Sequence, residues 1–146
     1  MVRDRSAETR GSTGLTRPIL HVDDDPATRS AVREILSIHH EVISARGLSE
    51  ALDFVRERRF GLYLLGGMFR DGSSLELCYE LRLSDPKVPV LFLSLLPKDL
   101  RQQLLLAGAT EILDKTGSAE ALTDAVRRHV DALSVSPRRQ IASMAG

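Results

Sequence analysis

Between residues 18 and 133 a short apolar run is followed by a segment of helical periodicity, and this happens five times. The runs are "PILHV" (18–22), "EVISA" (41–45), "GLYLL" (61–65), "VPVLFLS" (88–94) and "EILD" (111–114). The first is followed by "DDDPATRSAVREILSI", in which Asp25 suits an N-cap and Pro26 a first helical turn. Ala31, Val32, Ile35, Leu36 and Ile38 then recur at helical spacing. The later segments are "SEALDFVRER" (49–58), "SLELCYELRLS" (74–84), "KDLRQQLLLAG" (98–108), which closes on Gly108, and "AEALTDAVRRHVDAL" (119–133). Regular alternation of this kind predicts an α/β domain, a parallel sheet with helices on both faces and right-handed crossovers. The run 88–94 is apolar throughout, as a strand buried on both faces should be. In open sheets of this class ligands bind at the carboxyl ends of the strands. The residues that matter therefore follow Val22, Leu65, Phe92 and Leu113.

The 146 residues suffice for one domain with a single core. Residues 1–17 are polar and charged and read as a disordered leader, 18–133 as the domain, and 134–146 as a flexible tail. Twenty basic side chains balance twenty acidic ones, so no basic excess marks a nucleic-acid partner. No apolar stretch approaches the roughly eighteen residues of a membrane span. The N-terminus lacks the apolar centre of a secretory signal, and a cytoplasmic protein is expected. The single cysteine, Cys78, has no disulfide or metal partner at a useful spacing and reads as a buried small hydrophobe. His21 reads as a hydrogen-bonded core residue of the first strand. His39 and His40 end the first helix, and His129 lies on the last.

Asp23 and Asp24 follow the first strand. Taken alone they have two readings: ligands for a hard cation such as Mg2+, or negative charge at a helix N-terminus. Ser94 closes the fourth strand and Lys115 follows the fifth. Two carboxylates, a hydroxyl and a lysine converging from three strand ends make a pocket suited to a phosphoryl group.

At these residues the chain resembles the receiver domain of two-component response regulators, over about residues 18–133. "ILHVDDDPATRSAVREIL" is similar to the receiver's first strand, acidic pocket and first helix. "PVLFLS" is similar to its fourth strand with the switch hydroxyl at Ser94, and "AGATEILDK" to the approach to its lysine at Lys115. "DGSSLELCYELR" is similar to the loop and helix after the phosphorylation site. The resemblance implies a doubly wound, flavodoxin-like (βα)5 fold with a five-stranded parallel sheet in the order 2-1-3-4-5.

In that family the third strand ends in the phosphoacceptor aspartate. Laid on "LYLLGGMFRDG", this place falls on Gly66, and Gly67 beside it restores no acid. Arg70 stands where the family has proline. Ile112 takes the place of the aromatic switch residue, and Thr116 that of the proline after the lysine. The resemblance thus implies an atypical pseudo-receiver, not an enzyme, whose pocket binds Mg2+ weakly or not at all through Asp23 and Asp24. Lys115, without an acceptor opposite, is expected to pair with Asp23 or Asp24. The glycines are expected to let the third-strand loop take positive φ angles.

Output is expected through protein contacts with a histidine kinase, another regulator or an output protein, or through a homodimer. The surface of the fourth helix, fifth strand and fifth helix offers Leu105 and Leu106, with Arg101, Glu111 and Arg127 among its charges. Lys98, Asp114 and Arg128 add to that set; the alternative is a plain solvated surface. Two rivals stand beside this reading. One is a phospho-switch with an unusual acceptor such as Asp24 or Asp71. The other is a small-ligand site or enzyme in the glycine-lined cavity, although "GGMFRDG" lacks the Gly-Lys-Ser/Thr ending of a P-loop.

Overall fold

A computed structural model describes residues 17–95 and 98–130, without the side chains of 98–100. The expected leader (apart from Arg17), the expected tail and residues 131–133, expected at the end of the final helix, lie outside the described residues. The central sheet contains β1 (Ile19–Val22), β2 (Val42–Ala45), β3 (Leu62–Leu65), β4 (Val90–Ser94) and β5 (Glu111–Asp114). The helices are α1 (Pro26–Leu36), α2 (Leu48–Glu57), α3 (Ser74–Ser84), α4 (Lys98–Leu106) and α5 (119–130). The strands run in the order β2-β1-β3-β4-β5, and every pairing is parallel. This is the expected order, and it places the ends of β1, β3, β4 and β5 side by side.

Strand side chains alternate between two packed layers. Leu20, Val22, Tyr63, Leu65, Val90 and Phe92 face α2, α3 and α4, meeting Ala51, Leu77, Cys78, Leu81, Leu104 and Ala107. Ile19, Leu62, Leu64, Leu91 and Leu93 face α1 and α5, meeting Val32, Leu36, Leu122, Ala125, Val126 and Val130. All four residues of β3 are buried. The strand that carries the acceptor place in this fold is therefore shielded by both layers.

Two details depart from the sequence expectation. α4 ends at Leu106 rather than Gly108, because Gly108 adopts φ +113, a conformation that leaves the helix. Arg82 then locks the exit. Its guanidinium donates to the carbonyls of Gly108 (2.8 Å) and Val88 (2.7 Å) and to Thr110 Oγ1 (3.2 Å), tying α3 to the entries of β4 and β5.

His21 is the second departure. It is fully buried, as expected, but neither ring nitrogen has a hydrogen-bond partner. Its register neighbours are Ser44 on β2 and Leu64 on β3, and Ser44 Oγ instead accepts from Arg33. Burial, reinforced by Lys115, Arg29 and Arg33, pushes the imidazole pKa down from 6.5 to about 3.

The folded protein therefore keeps His21 neutral, while the unfolded chain takes up a proton near 6.5. Stability is unaffected above the unfolded value and falls as pH drops from there towards the folded one, by at most ~1.4 kcal/mol per pH unit. His21→Leu is expected to flatten this acid limb. Urea midpoints measured across the range would show it, and a variant curve parallel to that of the wild type would contradict it.

Candidate functional site

The site begins where β1 runs out. Asp23 donates its N–H to Ala45 O (3.0 Å), which extends the ladder by one residue and turns the side chain under the surface. Its Oδ1 accepts from Asp25 N (2.9 Å), and its carbonyl accepts from Arg29 Nη1 (2.8 Å). Oδ2 is buried without a hydrogen-bond partner. The cation that faces it is Lys115, whose Nζ lies 3.6 Å away. A buried carboxylate needs a compensating charge, and Lys115 supplies it. Asp25, next along, caps α1 as expected and accepts from Thr28 N and Thr28 Oγ1.

Gly66 lies directly against this carboxylate. Its N–H donates to Val22 O (2.7 Å), and a Cβ on it would stand 2.6 Å from Asp23 Oδ2 and 2.9 Å from Asp23 Cγ. Even an alanine would require Asp23 to move. Gly67 is similarly close to β4, with its would-be Cβ 2.9 Å from Ser94 Oγ. The expectation of positive φ in this loop is overturned, since among the described residues only Gly108 has one. The glycines are needed for close approach instead.

The loop after β3 is pinned rather than loose. The carbonyl of Gly67 accepts from both the amide and the hydroxyl of buried Ser74. Met68–Phe69 pairs antiparallel with Gly72–Ser73 in a small ladder. Asp71, at the turn of that ladder, reaches the N-terminus of α2. Its two oxygens accept from Leu48 N (2.8 Å) and Ser49 N (2.9 Å). The amides of Ser49 and Leu48 hold this carboxyl below its usual range. Gly47 leaves room for it, because a Cβ there would meet Asp71 Oδ1 at 2.5 Å. Asp71, weighed above as an unusual acceptor, is thus a long-range helix cap with both oxygens in use.

The loop carrying Lys115 is built by its neighbours. Asp114 Oδ1 accepts from Thr116 N (2.9 Å) and Thr116 Oγ1 (2.8 Å), and Gly117 N donates to Asp114 O (2.9 Å). The backbone donor of Thr116, joined by its hydroxyl, lowers the Asp114 carboxyl pKa. Proline at 116 would lack that N–H. No peptide bond among the described residues is cis.

Of the residues singled out from the sequence, Asp23, Gly66 and Lys115 come together, and Ser94 stands half-buried beside Gly67. Asp24 does not join them. It is exposed beside Arg29, Arg46 and Arg70 on an open polar groove. Ile112 packs partly buried against the α2–α4 layer. The donor set fits Mg2+ poorly: one buried carboxylate already faces an ammonium, and the second is out in solvent. Among the described residues no cluster of three His, Cys, Asp or Glu side chains is placed for a metal.

On the surface of α4, β5 and α5, Leu106 is 82% exposed and Leu105 47%. Arg101 is exposed, and Arg127 lies 3.8 Å from Asp124. Glu111 is engaged within the chain by Arg128 (3.0 Å) and His129 Nε2 (2.7 Å). Burial raises its pKa, but the hydrogen bonds from His129 and Arg128 outweigh burial and lower it.

This sheet order, with an acidic residue after β1, a hydroxyl ending β4 and a lysine after β5, defines the class. The chain belongs to the response regulator receiver domain family, which it matches over residues 19–127. It is a receiver of two-component signal transduction. Over 111 residues it is 34% identical to the response regulator MprA of Mycobacterium sp. (strain KMS), covering 75% of this chain and 48% of the relative. The chain thus spans about half the length of the curated relatives it matches.

Two solved structures illustrate the likeness. One is the response regulator receiver domain protein (CheY-like) from Methanospirillum hungatei JF-1, with a TM-score of 0.75 at 24% identity, covering 80% of this chain and 94% of that one. The other is the BeF3-activated DrrB receiver domain, with a TM-score of 0.74 at 27% identity, covering 80% and 99%. Among the described residues no helix is long and apolar enough to cross a membrane.

The sequence reading missed the Asp71 cap and the Asp114–Thr116 turn. For the cap, Asp-Gly at 71–72 and a glycine just before α2 were the available signals, but nothing local joins two points so far apart in the chain. The Asp114–Thr116 turn is local, and its signal was the Asp two residues before Thr116.

Gly66→Ala is expected to destabilise the fold by about 1–3 kcal/mol, as overpacking does. The penalty should shrink in an Asp23→Ala background, and a urea double-mutant cycle that came out additive would refute the contact. Asp71→Ala should lower the melting temperature and speed hydrogen exchange at Leu48 and Ser49. Unchanged exchange there would show that the cap is dispensable.

Proposed function

We propose that this receiver works as a pseudo-receiver, transmitting its signal by protein binding without a phosphoaspartate. The observation that carries the reading is the contact at the end of β3. The acceptor place has no carboxylate, and the volume a side chain would need there is taken by Asp23. The loss is therefore built into the packing around it. The turn at Asp114–Thr116 and the inward-packed Ile112 agree with this, since neither keeps the group that the switching residues of the family carry. The Asp23–Lys115 pair supplies internally the charge balance that a metal and a phosphoryl group would otherwise bring.

On this reading the protein is a binding module, not an enzyme, and it acts in the cytoplasm. Its partner is a protein: a histidine kinase, another regulator, an output protein or a second copy. The surface we assign to that contact is the outer face of α4 with β5 and α5, where Leu105 and Leu106 are exposed side by side. Glu111, being tied to Arg128 and His129, shapes that surface rather than offering a free charge.

Incubation with acetyl phosphate and Mg2+, followed by intact-mass measurement, tests the central claim. The expected outcome is no labile gain of one phosphoryl group, with a conventional receiver as positive control. Millimolar Mg2+ alone should leave the melting temperature nearly unchanged. A phosphoryl gain that hydroxylamine removes, or a large stabilisation by Mg2+, would overturn the reading.

A further inference from the structure

A cleft of about 330 Å3 opens between α1 and the start of α5, beyond the contact between Asp23 and Gly66. Lys115 lines it, whereas Asp23 and Gly66 do not. Its volume is at the small end of the range for organic-ligand sites.

The sequence explains why the cleft stays open. α1 presents Ala27, Ala31 and Ile35, spaced four residues apart on one flank, and α5 begins with Ala119 and Ala121. Methyl groups stand where larger side chains would close the seam. The deeper wall is dry, with Leu93 and Leu122 each only 6% exposed.

One cation stands at the end of this apolar cleft. Lys115 lines it, and its side chain is 31% exposed. The ammonium carries three donors. Its one close contact among the described residues is the 3.6 Å ion pair with Asp23, which is too long for a hydrogen bond. The polar groups beside it each hold a hydrogen bond within the chain, Asp114 through Oδ1. Asp114 accepts from Thr116, Ser118 Oγ accepts from Ala121 N, and the Thr28 hydroxyl donates to Asp25. Lys115 is therefore the group with donors to spare, and those donors select an anion.

We propose that the cleft binds a small amphipathic organic acid. Its apolar body lies between α1 and α5, against Ala31, Ile35 and Leu122, and its carboxylate takes the open donors of Lys115. Occupancy places a second carboxylate on the ammonium that now balances Asp23 alone. The ligand thereby acts on the same ion pair that fills the old phosphorylation pocket. The inference goes beyond the phosphate-independent reading and does not require it, because binding is read on protein that has never met a phosphodonor.

The test is an amide chemical-shift titration of the full chain with three probes of equal length: octanoate and octylamine below their micelle concentrations, and octanol below its solubility limit. Octanoate is expected to give saturable shifts confined to α1 and the β5–α5 region. Octanol should bind about tenfold more weakly, the share of one charge-assisted hydrogen bond, and octylamine more weakly still. Lys115→Met should erase the preference for octanoate over octanol. Ala31→Trp, at an exposed position, should block both while leaving the rest of the spectrum in place. The proposal fails if octanoate gives no saturable shift, if octanol binds the wild type equally well, or if octanoate binds the folded Ala31→Trp protein as before.

Discussion

The carboxylate of Asp23, buried with one oxygen unbonded, sets the arrangement of the whole upper edge of the sheet. It can remain there because Lys115 faces it at 3.6 Å and because Asp25 donates to its other oxygen. An isolated buried charge would be far too costly, so the two residues must be held opposite one another. Gly66 is the third member, since any side chain on it would displace the carboxylate. With Asp23 placed as it is here, the close approach of β1 and β3 at this point needs a residue without a side chain.

Around this contact the loops have been rebuilt with ordinary turn chemistry. Where the family has proline after the lysine, the N–H of Thr116 closes a turn on Asp114. Asp71 gives both its oxygens to the start of α2, whose own N-cap residue is a glycine with no side chain to offer. Arg82 ties the far ends of α3 and α4 to the entries of β4 and β5 through three different groups. The result is a receiver frame whose loops satisfy themselves internally. Lys115 both faces Asp23 and lines the cleft between α1 and α5.

Much of this was legible in the sequence. The five apolar runs gave the strands, because short apolar runs alternating with helical segments suit a parallel sheet, and β1, β3 and β4 are indeed buried on both faces. The alternating helical segments gave the parallel sheet and its crossovers, and the family resemblance gave the strand order. Gly66, Ser94 and Lys115 were recognisable because the ends of parallel strands gather at one edge. Asp25 was readable as a cap because its partner, Thr28, lies within one turn. The errors have a common cause. His21 was expected to find a hydrogen bond, but it has none, and Ser44 beside it on β2 accepts from Arg33 instead, which no local pattern announces. The glycines were expected to serve an unusual backbone conformation, whereas they serve contacts with Asp23 and Ser94. Asp24 looked equivalent to Asp23, yet alternation along the chain turns one inward and the other to solvent.

The sequence determined the fold class and the absence of a carboxylate where β3 ends, and through its family resemblance it implied the strand order. These depend on local periodicity and on residue identity, and both are visible in a linear string. The tertiary structure alone decided which carboxylate meets Lys115, why Gly66 admits no side chain, what Asp71 does, and that a cleft opens between α1 and α5. Each of those depends on distances of a few ångströms between residues far apart in the chain, and only the closed packing of the two layers on the sheet sets them.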